Sequence, residues 1–180
     1  MKANEWKSDP EFMNCISDLL ASNEVKQLAG YTQHHHSTRL KHCIYVSYVS
    51  YLIAKKMNLD YRAAARGGLL HDLFYYDWRT TKFDIGTHAY MHPRVALRNA
   101  KNITELTPKE EDIILKHMWG LTLARPKYME SVIVSLVDDY AAVNQFMSPV
   151  ENRFKRLLNL VGDDYIGIGS DFDDKQKKNR

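Results

Sequence analysis

Cysteine is scarce in this chain. Cys15 and Cys43 are the only two in 180 residues, and they are not spaced as CxxC. Two cysteines make no disulfide framework, and they read as small apolar core residues of a reducing compartment. Long apolar runs are missing as well. No window approaches the roughly 18 consecutive apolar residues of a membrane-spanning helix. The stretch from Met1 to Lys7 carries no apolar h-region, so neither a secretory leader nor a membrane association is expected. These absences give a cytoplasmic expectation. Charge of one sign does not dominate either: the net charge is +3, and Lys and Arg are dispersed apart from a short run, Lys175 to Arg180. Phosphate-backbone binding needs a concentrated basic face, so nucleic acid is not an expected partner. Strand alternation and repeats of 20–50 residues are absent too. Nothing in the sequence specifies an oligomeric state.

The chain is 44% apolar and 26% charged, the balance of an ordinary globular protein, and its length suits a single core. Helical signals run along nearly all of it. Ser8-Asp9-Pro10-Glu11 has the form of a capping box with proline early in the helix, followed by an apolar face of Phe12, Ile16, Leu19 and Leu20. A short helix is predicted from about Asn23 to Ala29, stopped by Gly30. Tyr31 to Ser37 is a polar, histidine-rich approach segment. From Thr38 or Arg39 to Met57 the stripe Val46, Val49, Ile53 and Met57 predicts a helix. Asp60 is the expected N-cap of the next one, which ends at Gly67-Gly68-Leu69-Leu70-His71-Asp72.

Tyr75 to Tyr90 reads as a long loop, and long loops inside compact domains are often functional. Helix is expected again from His92-Pro93, with His92 as cap, and from the capping box Thr107-Pro108-Lys109-Glu110 through His117. A long helix follows Arg125-Pro126 to about Met147. A last one starts at Ser148-Pro149-Val150-Glu151 and ends at Gly162. The predicted fold is all-α.

Several polar residues stand on apolar stripes, where burial costs free energy unless a partner satisfies them. His42 continues the stripe of Val46, Val49 and Ile53. Asp138 lies beside Val134, Val137 and Ala141, and His117 follows Ile113 by one turn. A lone histidine there is more often a hydrogen-bonded core residue, and a lone aspartate a cap or a salt-bridge partner, with Arg39 and Arg66 as candidate partners. Together they point elsewhere. Four helices each offer a metal-competent side chain: His42, His71 with Asp72, His117, and Asp138. His92 is a fifth candidate. Imidazole with carboxylate suits Mn, Fe, Zn, Ni, Co or Mg, and helical bundles build such sites from inward-facing side chains. Without cysteine ligands, an open site with bound water is expected rather than a structural zinc.

The order His42, His71-Asp72, Asp138 resembles the HD superfamily of metal-dependent phosphohydrolases, defined by H…HD…D on an all-α domain. Arg39-Leu40-Lys41-His42, Leu69-Leu70-His71-Asp72, Met91-His92-Pro93, Lys116-His117 and Val134-Ser135-Leu136-Val137-Asp138 carry the resemblance. The resemblance covers roughly residues 38 to 145. With the helical signals and composition it gives a single HD-domain bundle over residues 38–165, N-terminal helices and an approach segment over 1–37 packed on that core, and a polar, disordered tail over 166–180. It implies His42, His71, Asp72 and Asp138 as metal ligands. His92 and His117 match the two-metal form, in which Asp72 bridges the ions. The chain departs from some branches in carrying Leu73-Phe74-Tyr75-Tyr76 where they have Gly-Lys, and it lacks a GYP element.

The function so implied is hydrolysis of a phosphomonoester or phosphodiester by metal-activated water, with a nucleotide or similar small phosphorylated molecule as substrate. Asp72, Asp77 and Lys116 are the catalytic candidates. Arg39, Arg79, Lys82 and Arg125 are the candidates for binding substrate. For Asp77 a loop-cap reading competes, and for each cation simple solvation. One of His34, His35 and His36 could reach the site, while a solvated loop accounts for the others. The competing functions are a non-catalytic regulator binding metal or nucleotide, and an RNA-directed hydrolase, for which no appended RNA module is seen. Gly67 and Gly68 are read as the place where a neighbouring helix comes close, that of His42 being the candidate.

Overall fold

The structure is a computed structural model that describes residues 5–34 and 37–144. Among these, seven α-helices follow in order: α1 (Pro10–Ala21), α2 (Asn23–Gln27), α3 (Arg39–Lys56), α4 (Tyr61–Leu70), α5 (His88–Ile103), α6 (Pro108–Lys116) and α7 (Met129–Asn144). The expected helix at 148–162, the tail and His35-His36 lie outside the described residues. No described helix is long and apolar enough to cross a membrane.

The fold is all-α apart from one small hairpin. β1 (Thr32–His34) pairs antiparallel with β2 (Ser37–Thr38), across the segment Tyr31 to Ser37 expected as a polar approach and one residue beyond it. It is too short to show an alternating pattern, so sequence periodicity could not reveal it.

α3 and α4 form the central pair. On one side Cys43, Tyr48 and Tyr51 of α3 and Leu69 and Leu70 of α4 pack with Phe12, Ile16 and Leu19 of α1. On the other, Val46 and Val49 of α3 and Ala63 and Ala64 of α4 pack with Ile113 of α6 and Val134 and Val137 of α7. α3 therefore buries two faces, and this is why its apolar residues do not fall on one stripe. Met57 of the expected stripe is 49% exposed, because the helix has already ended at Lys56.

Local chemistry sets the helix ends. The Thr107–Glu110 capping box forms as expected: the Glu110 N–H donates to Thr107 Oγ1 at 3.3 Å, and the Thr107 N–H to Glu110 Oε2 at 2.7 Å. Asp60 caps α4 through the Ala63 N–H at 3.0 Å. At α1 the cap is Asp9, not Ser8. Its carboxylate accepts the N–H groups of Glu11 and Phe12, whereas the Ser8 hydroxyl donates back to Glu5 O. α5 begins four residues before the expected His92. Pro93 lies inside the helix, giving up its N–H, and Thr87 stands at the N-cap without a side-chain bond. Proline marked the wrong boundary because the true one carries so faint a signal.

Arg66 ties three helices together. Its guanidinium pairs with Glu110 at 3.0 Å and Asp18 at 2.8 Å and donates to Cys15 O. It is thus committed to α1 and α6 and does not partner Asp138.

Candidate metal centre

Five helices bring their histidines and aspartates to one buried point. His42 projects from α3, His71 caps the C-terminal end of α4 with Asp72 next to it, His92 comes from α5, His117 caps α6, and Asp138 comes from α7. His42, His71, Asp72, His92 and His117 are all buried.

Asp72 divides the cluster. Its Oδ1 lies 3.3 Å from His92 Nε2 and 3.7 Å from His117 Nε2. Its Oδ2 lies 3.8 Å from His71 Nε2 and 4.0 Å from His42 Nε2. On that second side Asp138 Oδ1 stands 2.9 Å from His42 Nε2 and 3.5 Å from His71 Nε2. Two groups able to hold a cation result, His42–His71–Asp72 and Asp72–His92–His117, sharing one carboxylate.

In His71, His92 and His117 the outer ring nitrogen explains why Nε2 faces inward. Nδ1 of His71 lies 2.7 Å from Gly68 O, that of His92 2.8 Å from His88 O, and that of His117 2.9 Å from Ile114 O. A carbonyl can only accept, so each Nδ1 carries a proton. His71 and His117 thereby also satisfy carbonyls left over at the ends of α4 and α6.

Burial and the neighbouring His117 push His92 down to about 3, and burial and His71 push His117 below the ordinary imidazole value. Both rings are neutral at pH 7, with lone pairs on Nε2. Those two Nε2 atoms stand 2.7 Å apart. Two facing lone pairs at that distance repel unless a cation lies between or beside them. The donor set fits a divalent metal on this observation.

The other side behaves differently. Burial opposes charge on His71, but Asp72 and Asp138 outweigh it and raise the ring to about 9. Asp72 is held at about 2, since His71, His92 and His117 more than offset its burial. His71 and His42 likewise hold Asp138 well below the usual carboxylate range despite burial.

Not every expected site residue joins the centre. Arg39 is fully buried and not available to substrate. Its guanidinium donates to Gln33 Oε1 at 2.7 Å, Phe74 O at 2.6 Å and Tyr76 O at 3.3 Å, which corrects the substrate-binding expectation. Asp77 is exposed and caps its own turn, taking the Arg79 N–H at 2.9 Å. Lys116 donates to Arg125 O at 2.7 Å and pairs with Asp112 at 3.2 Å, so its ammonium holds the loop after α6. Arg79, Lys82 and Arg125 are exposed. Arg79 lies over the Trp78 ring at 5.4 Å, and its Nη2 lies 3.5 Å from Gln33 O.

Two residues absent from the sequence-based list stand at the centre. Gln33 donates to Asp72 Oδ2 at 2.6 Å. His88 stacks on His92, with ring centroids 4.4 Å apart, and Tyr76, Trp78 and Phe83 surround it. His88 was detectable, because it precedes His92 by one helical turn. Gln33 sits in a polar hairpin with no periodicity to single it out.

A helical bundle with a buried His/Asp cluster able to hold divalent cations is the class of protein these features define. The chain belongs to the HD domain family, whose model matches residues 39–143. HD domains are generally metal-dependent hydrolases. Comparison with curated proteins and with solved structures returns no significant match.

Proposed function

We propose that this protein is a metal-dependent phosphohydrolase cleaving a phosphomonoester or phosphodiester bond in a nucleotide or similar small phosphorylated molecule. The divided Asp72 carboxylate carries the reading: one oxygen faces His92 and His117, the other His42 and His71, an arrangement suited to one or two ions. When bound, a divalent ion supplies an acidified water as nucleophile and positive charge for the phosphoryl oxygens.

The chain's own part is orientation and exclusion. The three Nδ1–H···O contacts fix tautomer and ring angle, so each Nε2 is presented without reorganisation. Buried walls keep bulk water from the charged cluster and strengthen its electrostatics. Arg79 and Lys82 on the 75–87 loop are exposed cations able to meet phosphate, Arg79 by exchanging its loose contacts with Gln33 O and Asp77. Tyr76, Trp78, Phe83 and His88 offer aromatic surface beside His92, which favours a substrate with a base.

Purified protein supplied with Mn²⁺ should hydrolyse bis-p-nitrophenyl or p-nitrophenyl phosphate, and a nucleotide screen should find a better substrate. Asp72→Ala should lower turnover by about 10³-fold or more, the scale of losing several kcal/mol of charge stabilisation. It should also empty the site by elemental analysis, and His92→Ala should lower the metal-to-protein ratio. Undiminished metal content in Asp72→Ala sinks the reading.

A further inference from the structure

Asp72 must hold one particular rotation for its two oxygens to face opposite groups of histidines, and a carboxylate turns easily about its last bond. The carboxamide of Gln33 touches it from outside the cluster. Gln33 is buried, and its Nε2 donates to Asp72 Oδ2 at 2.6 Å while its Oε1 accepts from Arg39 Nε at 2.7 Å. Arginine is only a donor and an ionised carboxylate only an acceptor, so the amide can be oriented in one way alone. Arg39 is itself locked by Phe74 O and Tyr76 O, with its guanidinium carbon 3.6 Å from the Phe74 ring centroid. The hairpin register skips between Thr32 and His34, which places Gln33 at an irregularity of the kind that re-aims a side chain.

We propose that Gln33 is a positioning residue of the metal centre: held by Arg39, it fixes the rotation of the Asp72 carboxylate so that both oxygens stay available to the two histidine groups. This rests on the reading of Asp72 as a metal ligand. Gln33 needs no contact with substrate or ion. Losing an outer-sphere partner of this kind typically weakens metal binding by about 10- to 100-fold.

The test is a calorimetric Mn²⁺ titration of the metal-free full chain, wild type against Gln33→Met, which keeps the length and removes the donor. Mn²⁺ affinity should fall about tenfold or more, with helical circular dichroism of the metal-free protein unchanged. Equal affinity overturns the inference. A second measurement needs no metal and no Gln33 variant. In the ¹H–¹⁵N spectrum of the metal-free protein, the Gln33 side-chain amide should stand apart from those of exposed glutamines and move back toward them in Asp72→Ala. A Gln33 amide that is solvent-like in the wild type overturns the inference even if Gln33→Met does not fold. Should the wild type take up no Mn²⁺, the metal reading fails by itself, and the amide spectrum still decides whether Gln33 grips Asp72.

Discussion

His71 enters the metal-free centre as an imidazolium, because Asp72 and Asp138 lift it to about 9. A metal ligand must give up that proton, so binding and deprotonation are linked. Calorimetry at pH 7.5 in buffers of different ionisation enthalpy should show about one proton released as the His71 side fills. Stability gives an independent check with a definite sign. A pKa raised from the ordinary 6.5 to about 9 contributes stability that is full below 6.5 and lost as pH rises through 9. The metal-free protein should therefore melt at a lower temperature at pH 9 than at pH 6.5. A flat or rising profile would mean that His71 is neutral. Asp72, lowered from 3.8 to about 2, acts in a separate window, its contribution disappearing only as pH falls below 3.8 toward 2. His42 and His117 were legible in the sequence because polar residues on apolar stripes need a reason to be there. Arg39 was misread for the opposite cause: its charge suggested substrate, and only three-dimensional packing shows its donors consumed by Gln33 and two backbone carbonyls.

At the scale of helices, the distance between α3 and α4 sets whether His42 and His71 can share a cation, their Nε2 atoms being 3.3 Å apart. Gly68 permits it. A Cβ there would lie 2.9 Å from Ser47 Cα and 3.2 Å from Ser47 N, both backbone atoms of α3. Gly67 does something else, since a Cβ on it would meet the Ile113 side chain of α6 at 2.7 Å. Each glycine thus admits a neighbouring helix, as expected, but the candidate His42 helix is the neighbour of Gly68 alone. Alanine within a helix normally gains about 1 kcal/mol over glycine. Forcing two backbones apart in a packed core costs typically about 1–3 kcal/mol. The clash should win at Gly68. Gly68→Ala should melt several degrees lower and bind Mn²⁺ more weakly; a variant as stable as wild type with unchanged affinity would show that the close approach is dispensable. The sequence foretold that α3 and α4 meet at small residues. It could not tell which glycine faces which neighbour, because successive positions on a helix differ by about 100° and neighbours are not encoded locally.

Across the whole molecule, the centre is where α3, α4, α5, α6 and α7 converge, so the cation-binding residues also mark the point at which elements distant in sequence are joined. The helical pattern and the H…HD…D order were enough to foresee that convergence. The hairpin that delivers Gln33 was not foreseen, because its strands pair over too few residues to leave a pattern. Convergence has a thermodynamic consequence. A cation bound by the folded chain and not by the unfolded one stabilises by RT ln(1 + [L]/Kd), about 2.7 kcal/mol at a free concentration a hundred times Kd. For a chain of this size each kcal/mol moves the midpoint by roughly 2–4 °C. Removing metal with a chelator should therefore lower the melting temperature by about 5–10 °C, and Mn²⁺ should restore it. In Asp72→Ala the chelator should have almost no effect, since the shared ligand is gone. A wild-type midpoint indifferent to chelator and Mn²⁺ would mean that the histidines converge without binding a cation, leaving the 2.7 Å approach of His92 and His117 without its counter-charge.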